Sequence, residues 1–119
     1  MAGRIRPHRG EVWLVDFDPT IGAEIQKTRP ALIVQNEAGN RAAPTTIVAA
    51  ITTTIKRPYP FQVLLPAGEG GLDHRSVVTL NHLRTIDVQR LKHRLGTVKP
   101  STMLDVDAAL LVSLGIELD

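Results

Sequence analysis

Short runs of β-branched and aliphatic residues, separated by turn-forming residues, constrain the fold of this chain more than any other feature. In the clearest run, residues 11 to 17, a period of two places Trp13, Val15 and Phe17 on one side of a strand. Further runs lie at residues 31 to 35, 45 to 54, 61 to 65, 76 to 80 and 94 to 98. Turn signals separate them, among them the glycine cluster at 68 to 71, which is typical of a hairpin turn. The pattern predicts a mainly β protein, a small and strongly curled barrel.

One helix is predicted, close to the end of the chain. Apolar residues recur at helical spacing after Ser101, a suitable N-cap, and Gly115 suits the C-terminal stop; they are Met103, Val106, Leu110 and Leu114. A length of 119 residues is that of a single domain, predicted to span 1–119 with a loosely ordered lead-in at 1–8. Aromatic residues are so few that aliphatic side chains must dominate the core, to which we assign Trp13, Phe17, Val48 and Ile51.

Composition excludes several classes of function. The chain has no cysteine, and therefore no disulfide framework, thiolate nucleophile or cysteine-ligated zinc. The four histidines lack the spacing of metal ligands, so neither a metal nor another cofactor is expected; they are His8, His74, His82 and His93. No apolar run approaches the ~20 residues that cross a bilayer. The first thirty residues carry no signal-type apolar segment, and we expect a cytoplasmic protein.

Charge is distributed unevenly along the chain. Residues 1 to 99 contain all fourteen lysines and arginines against eight acidic residues, while the last twenty contain four acidic residues and no base. A basic body with an acidic end favours a polyanionic partner for the body. Ordinary solvated surface charge accounts for the same pattern equally well.

The polar connection from Asp18 to Pro30 is the strongest candidate for a functional segment, because long loops on rigid scaffolds often carry function. Pro30 keeps the preceding Arg29 extended at the start of a strand, where its guanidinium can present a planar fork to a phosphate. The third strand ends in hydroxyl side chains at residues 52 to 54. The alternatives are that Arg29 pairs with Glu24 or Asp16 and that the threonines are ordinary strand residues.

Four blocks of this sequence resemble the MazF/PemK toxin family. The first is Arg9-Gly-Glu-Val-Trp-Leu-Val-Asp-Phe-Asp-Pro-Thr-Ile-Gly-Ala-Glu24, and the others lie at residues 27 to 36, 44 to 52 and 76 to 87. They occur in the family's order from about Arg9 to Gly115, nearly the whole chain, and several motifs in register are specific. The resemblance implies an SH3-like curled β-barrel with a C-terminal α-helix, assembled as a homodimer.

The resemblance also implies an activity. A protein similar to this family is expected to be an endoribonuclease that cuts single-stranded RNA, usually messenger RNA, at short sequence motifs without a metal, and so inhibits translation and growth. Attack by the 2′-hydroxyl leaves a 2′,3′-cyclic phosphate (or 3′-phosphate) and a 5′-hydroxyl. The expected partner is a cognate antitoxin of a type II toxin–antitoxin system, whose acidic, disordered C-terminal segment occupies the RNA groove. By position, the family's catalytic arginine falls on Arg29 and its catalytic threonine on Thr52.

Further site residues follow from the resemblance. Glu24 and Thr53 are expected to support catalysis, and the proton acceptor is left open between Glu24 and water. The expected RNA contacts are Lys27, Thr28, Asn36, Lys56, Asn81, His82 and Arg84.

Two motifs depart from the family pattern. The usual Gly-Ser-Glu-Gln of the loop is Gly22-Ala23-Glu24-Ile25 here, and the usual Asp-Gln before Leu-Arg is Asn81-His82. These departures predict that a different RNA motif is read, and they leave two other functions open. One is a non-catalytic toxin that binds a protein target such as DNA gyrase, and the other is a silent nucleic-acid-binding barrel.

Overall fold

The computed structural model describes residues 5–17, 28–54 and 58–118. Within these residues, the strands are β1 (Glu11–Asp16), β2 (Thr28–Ile33), β3 (Thr45–Thr52), β4 (Gln62–Leu65), β5 (Ser76–Asp87) and β6 (Leu91–Thr97). The helices of the described chain are α1 (Glu37–Ala42) and α2 (Pro100–Leu114), and 3-10 turns cover Glu69–Gly71 and Val88–Arg90. Each predicted run forms a strand, although β2 begins earlier and β5 ends later than the sequence indicates. Over the described ranges, no helix is both long and apolar enough to cross a membrane.

The described strands form one antiparallel sheet in the order β4-β5-β3-β2-β1-β6. The two end strands do not pair with each other in this part of the chain, so the predicted barrel is an open, curled sheet. The turn Glu69–Gly71 accounts for the difference, because it packs against β6. A Cβ added to Gly71 would lie 2.0 Å from the carbonyl oxygen of Leu95, and one added to Gly96 would lie 2.7 Å from the carbonyl carbon of Gly70. Only glycines permit so close an approach of two backbones.

Alternate residues along the strands face two apolar clusters. The cluster beneath α2 includes Leu32, Ala49, Ile51 and Val78 of the sheet together with Val106 of the helix. The cluster on the opposite face contains Val15, Ala31, Ile33, Val48, Ile86, Val88 and Leu91. This alternation is the period of two that identified the strands.

The predicted core positions are confirmed for two residues and wrong for two. Val48 and Ile51 are buried, whereas Trp13 and Phe17 are half-buried at the margin of the second cluster. The indole N–H of Trp13 donates to Glu11 Oε1 at 2.9 Å. An indole needs such a polar partner, which favours a position at the edge of a core over its centre.

A register shift divides β5 into two parts. Ala49 of β3 lies opposite Leu83, while the next residue, Ala50, lies opposite Thr79, so β5 carries three extra residues at this point. The hydroxyl of Ser113 in α2 donates to the carbonyl oxygen of Leu80 at 2.8 Å. This backbone carbonyl of the shifted segment thereby gains a hydrogen-bond partner. Asn81 and His82 occupy the shifted segment and are exposed. Such an insertion bends a strand and redirects its side chains.

The predicted C-terminal helix is confirmed, but its start differs. α2 begins at Pro100, with Lys99 at the N-cap position and no capping side chain of its own. Glu69, from the turn that follows β4, accepts hydrogen bonds from the Lys99 N–H and the Thr102 hydroxyl and replaces the expected cap at Ser101. Proline suits the first helical position, since it lacks the N–H that would need a partner there. Gly115 ends the helix in a left-handed conformation (φ 70°), as its sequence position predicts. Leu114, the last residue of the predicted apolar series, is 57% exposed.

The short helix α1 is absent from the sequence prediction. Six residues make fewer than two turns, too short a segment for an apolar repeat to show. Its signal is the N-cap: the side-chain oxygen of Asn36 accepts from the Gly39 N–H at 2.7 Å. Asn40 is buried and its Oδ1 accepts from the Thr46 hydroxyl at 2.7 Å, which ties the helix to β3.

Charged groups near the start of the described chain pair with both helices. Arg9 donates to Asp107 of α2 at 2.5 Å and to the carbonyl oxygen of Val34 at 2.9 Å. Glu37 of α1 accepts from the Arg9 N–H at 3.3 Å and lies 3.4 Å from His8. We call these four residues, Arg9, Asp107, Glu37 and His8, the Arg9 corner. Of the lead-in at 1–8, residues 1–4 lie outside the described residues, whereas Pro7 is buried.

The pKa of Glu37 is lowered from its ordinary value. Burial acts in the opposite direction, but hydrogen bonds from Asn40 and from the Arg9 N–H, together with His8, favour the ionised form and prevail.

Candidate active site

Arg29 and Thr52 lie at adjacent ends of β2 and β3. The pairing of these strands runs from Ile33–Val48 to Ala31–Ala50. Continued by two residues, the same antiparallel register brings Arg29 opposite Thr52, and directly opposed residues project on the same side of a sheet. β2 remains paired with β1 at this point through Val15 and Arg29. The guanidinium is therefore carried by ordered backbone where β2 and β3 part.

The hydroxyl of Thr52 has a defined orientation. Its oxygen accepts a hydrogen bond from the backbone N–H of Thr54 at 3.1 Å, which forms a local turn at the end of β3. Since the oxygen is used as acceptor within the chain, the hydroxyl proton is available for a ligand. Thr53, between them, is exposed.

The connection that leads into β5 forms the third wall. Thr52 is paired with Val77, so the residues just before β5 lie alongside the end of β3. Arg29, Thr52, Thr53, Asp73, His74 and Ser76 line one cleft of about 430 Å³. The hydroxyl of Ser76 donates to the carbonyl oxygen of His74 at 2.8 Å and orders this connection.

The cleft has the electrostatic character of an anion site. Arg29 is exposed, and none of the ion pairs found in the described ranges involves it. The alternative that Asp16 neutralises Arg29 finds no support among them, and Glu24 lies outside the described residues. A guanidinium beside hydroxyl donors is suited to a phosphate oxygen.

Two arginines hold the backbone where the polar connection begins. Arg84 of β5 donates to the carbonyl oxygen of Phe17 at 3.3 Å, with its guanidinium carbon 5.5 Å from the centre of the Phe17 ring. Arg90 donates to the carbonyl oxygen of Asp16 at 3.1 Å. Arg84 thus orders the start of the segment predicted to contact RNA, and Arg90 is a supporting residue that the sequence analysis missed.

The other predicted site residues that the structure describes do not line the cleft. Thr28 is the exposed first residue of β2, and Asn36 caps α1. Asn81 and His82 lie on the shifted segment of β5, several residues from the cleft. Glu24, Lys27 and Lys56 lie outside the described residues, and the RNA-contact assignments stay predictions.

Asp73, His74 and Ser76 are the cleft residues that sequence reasoning missed. The available signal was the polar segment Asp73-His74-Arg75-Ser76, which follows the glycine turn and immediately precedes a strand. His74 was considered only as a metal ligand, a role that its spacing excludes.

Comparison with known proteins identifies the family. Residues 8–114 match the family described as PemK-like, MazF-like toxin of type II toxin-antitoxin system. The Endoribonuclease MazF of Staphylococcus epidermidis is 44% identical over 109 residues, 91% of either chain. An endoribonuclease from a mycobacterial species superposes with a TM-score of 0.80 at 29% identity and covers 97% of both chains. A mycobacterial endoribonuclease in complex with its cognate antitoxin gives a TM-score of 0.80 at 29% identity over 95% of this chain and 99% of that chain. The chain thus belongs to the PemK-like and MazF-like toxins of type II toxin–antitoxin systems.

Proposed function

We propose that this chain is an endoribonuclease toxin that cleaves single-stranded RNA, messenger RNA above all, at short sequence motifs and without a metal ion. Its family and its 44% identity to an endoribonuclease support the activity. The observation that carries the proposal is the cleft that Arg29 and Thr52 line together. Cleavage by the RNA's own 2′-hydroxyl leaves a 2′,3′-cyclic phosphate (or 3′-phosphate) and a 5′-hydroxyl.

Arg29 stabilises the charge that develops on phosphorus. When the 2′-oxygen attacks, the five-coordinate phosphorane gains negative charge on its non-bridging oxygens. A guanidinium already in place binds this charge more strongly than the ground state, and a preorganised donor of this kind contributes about 3 to 4 kcal/mol. An arginine is always protonated and does not serve as the base.

Thr52 donates its hydroxyl proton to the same phosphate. The N–H of Thr54 occupies one lone pair of the Thr52 oxygen and leaves the O–H able to donate to a ligand. The exposed hydroxyl of Thr53 supports catalysis by hydrogen bonding to the adjacent RNA segment. Replacing the Thr52 hydroxyl by a methyl group removes this donor with little change in volume.

The RNA motif is read away from the cleft. Asn81 and His82 are exposed on the shifted segment of β5, where an amide and an imidazole can hydrogen-bond or stack on unpaired bases. Lys27, Thr28, Asn36 and Lys56 complete the proposed contacts. Arg84 contributes by holding Phe17 in place.

An antitoxin is the proposed protein partner. A relative of the same fold is in complex with its cognate antitoxin, and the basic body of this chain suits an acidic, disordered antitoxin segment that competes with RNA. The protein acts as a homodimer in the cytoplasm.

Incubation of purified protein with a long single-stranded RNA in excess EDTA tests the proposal. Cuts at a recurring short motif, with 5′-hydroxyl ends, are expected for the wild type, and about 100-fold slower cutting for Thr52→Val. Thr97→Val, which replaces an exposed threonine of β6 outside the cleft, serves as the matched control and should cut normally. RNA that stays intact while it binds the protein would indicate the silent nucleic-acid-binding alternative. Neither that alternative nor a gyrase-binding toxin is favoured by the relatives, which are endoribonucleases.

A further inference from the structure

We propose that His74 is the general base of RNA cleavage, the group that takes the proton of the attacking 2′-hydroxyl. The inference rests on the proposed function and concerns the one proton transfer for which the sequence offered only Glu24 or water.

The topology of the sheet brings His74 to the reacting end of the cleft. Thr52 pairs with Val77, three residues after His74, so the connection that carries the imidazole runs beside the end of β3. His74 lines the same cleft as Arg29 and Thr52. A phosphate bound by Arg29 and Thr52 therefore has its ribose neighbour within the space that His74 borders.

The backbone of His74 is held on both sides while its side chain is exposed. Leu72 and Ser76 are buried, with exposed fractions of 7% and 2%. The hydroxyl of Ser76 donates to the carbonyl oxygen of His74 at 2.8 Å. Gly71, one residue before Leu72, packs against the backbone of Leu95. An exposed imidazole on a fixed backbone is suited to repeated proton transfer.

The other side chains of the cleft are poor bases. Among the described residues, the charged or titratable groups that line it with His74 are Arg29 from β2 and Asp73 from the same connection, while β1, β3 and β6 contribute only uncharged residues. A guanidinium does not give up its proton, a carboxylate such as that of Asp73 is intrinsically less basic than an imidazole, and hydroxyls of threonine and serine are too weakly basic. Imidazole is the side-chain group whose ordinary pKa lies closest to neutral pH, where a general base is most effective.

One cleavage transfers one proton to His74 and one to the leaving 5′-oxygen. Neutral His74 accepts the 2′-hydroxyl proton as the bond between the 2′-oxygen and phosphorus forms. The bond between phosphorus and the 5′-oxygen breaks, its electron pair leaves on that oxygen, and water supplies the proton. The 2′,3′-cyclic phosphate results, and the imidazolium returns its proton to solvent.

The rate of single-turnover cleavage against pH tests the proposal, with a short RNA that contains one cut site in excess EDTA. The wild-type rate should rise with pH across the titration range of imidazole and then level. His74→Asn and His74→Gln should cut at least about 100-fold more slowly than the wild type, and their rates should not rise with pH in that range. Added imidazole should restore part of the cleavage rate of His74→Ala. His93→Asn, which replaces another exposed histidine, should behave as the wild type.

A second substrate separates a base from an acid. If the 5′-oxygen at the cut site is replaced by sulfur, the leaving group needs no proton. The defect of His74→Asn should persist on this RNA, whereas its disappearance would show that His74 acts as an acid and overturn the assignment. Binding of an RNA with a 2′-deoxy cut site should be equal for the wild type and His74→Asn, since it does not depend on the base.

Two further outcomes contradict the inference. An unchanged rate and pH profile in His74→Asn, from a wild type that cuts RNA, would leave the proposed function standing and remove His74 from it. Loss of the pH-dependent rise in Asp73→Asn but not in His74→Asn would move the role to the carboxylate. A wild type that does not cut RNA would instead refute the proposed function itself.

Discussion

The cleft and the Arg9 corner both contain an arginine, and the two arginines differ in what surrounds them. Arg9 contacts a carboxylate of α2 and a carbonyl oxygen. The neighbouring Glu37 accepts hydrogen bonds from the Arg9 N–H and from Asn40 and also lies beside His8. Arg29 takes part in none of the ion pairs of the described residues and stands beside threonine hydroxyls. The difference teaches that paired charges in this fold hold elements together, while the cleft keeps its cation available for a ligand. Substitutions in the two places should therefore affect different measurements.

Arg29→Ala should have the largest effect, confined to activity. Loss of the guanidinium removes transition-state stabilisation and is expected to lower the cleavage rate about 1,000-fold, with the thermal midpoint of unfolding unchanged. Single-turnover cleavage and thermal unfolding measure the two quantities on the same samples. A large fall in the midpoint would mean that Arg29 is a structural residue and would erase the contrast with Arg9.

Gly71→Ala should weaken the wall of the cleft through the backbone. Gly71 has φ 76°, and a Cβ there would lie 2.0 Å from the Leu95 carbonyl oxygen, so the turn must move away from β6. We expect a loss of about 2 kcal/mol or more in the free energy of unfolding, together with slower cleavage, because Leu72 to Ser76 follow directly. Gly68→Ala is the matched control: its φ is also positive, but no atom lies within 4 Å of the added Cβ. Equal losses in both variants would show that backbone strain alone, and not the contact with β6, is responsible.

Arg9→Ala should affect stability and leave catalysis intact. The variant loses a partly exposed ion pair with Asp107 and a hydrogen bond to Val34, together about 1 kcal/mol of unfolding free energy. Denaturant unfolding gives the free energy, and the cleavage rate should equal that of the wild type. A double-mutant cycle with Asp107→Asn isolates the contribution of the ion pair. A coupling energy of zero would show that this pair does not stabilise the fold.

The pH dependence of Glu37 should be the smallest effect. Because the folded-state pKa lies below its ordinary value, the ionised carboxylate stabilises the fold at pH above that ordinary value, and the contribution is lost as pH falls through the folded pKa. The stability advantage of the wild type over Glu37→Gln should thus narrow between neutral and strongly acidic pH. Thermal unfolding across this range checks it, and an advantage that grows on acidification would contradict the sign.

The strands were predictable because period-two patterns and β-branched residues are local properties of a sequence. The short helix α1 was not, since six residues cannot show a helical period, and the open edge of the sheet was not, since it depends on how Gly71 meets β6. The cleft residues also differ in whether they could be predicted from local sequence. Arg29 and Thr52 stand out beside a proline and at a strand end, whereas His74 reaches them only through the pairing of β3 with β5.

The three extra residues of β5 have a consequence for how toxins of this kind diversify. Arg29 and Thr52 are placed by strand register, so a substitution that disturbs the ladder displaces both together. Asn81 and His82 stand where the ladder is already interrupted, and the Ser113 hydroxyl holds the backbone whatever side chains they carry. Under the proposed function, single amino-acid replacements at these two positions are expected to change the RNA motif that is recognised while Arg29 and Thr52 keep their places.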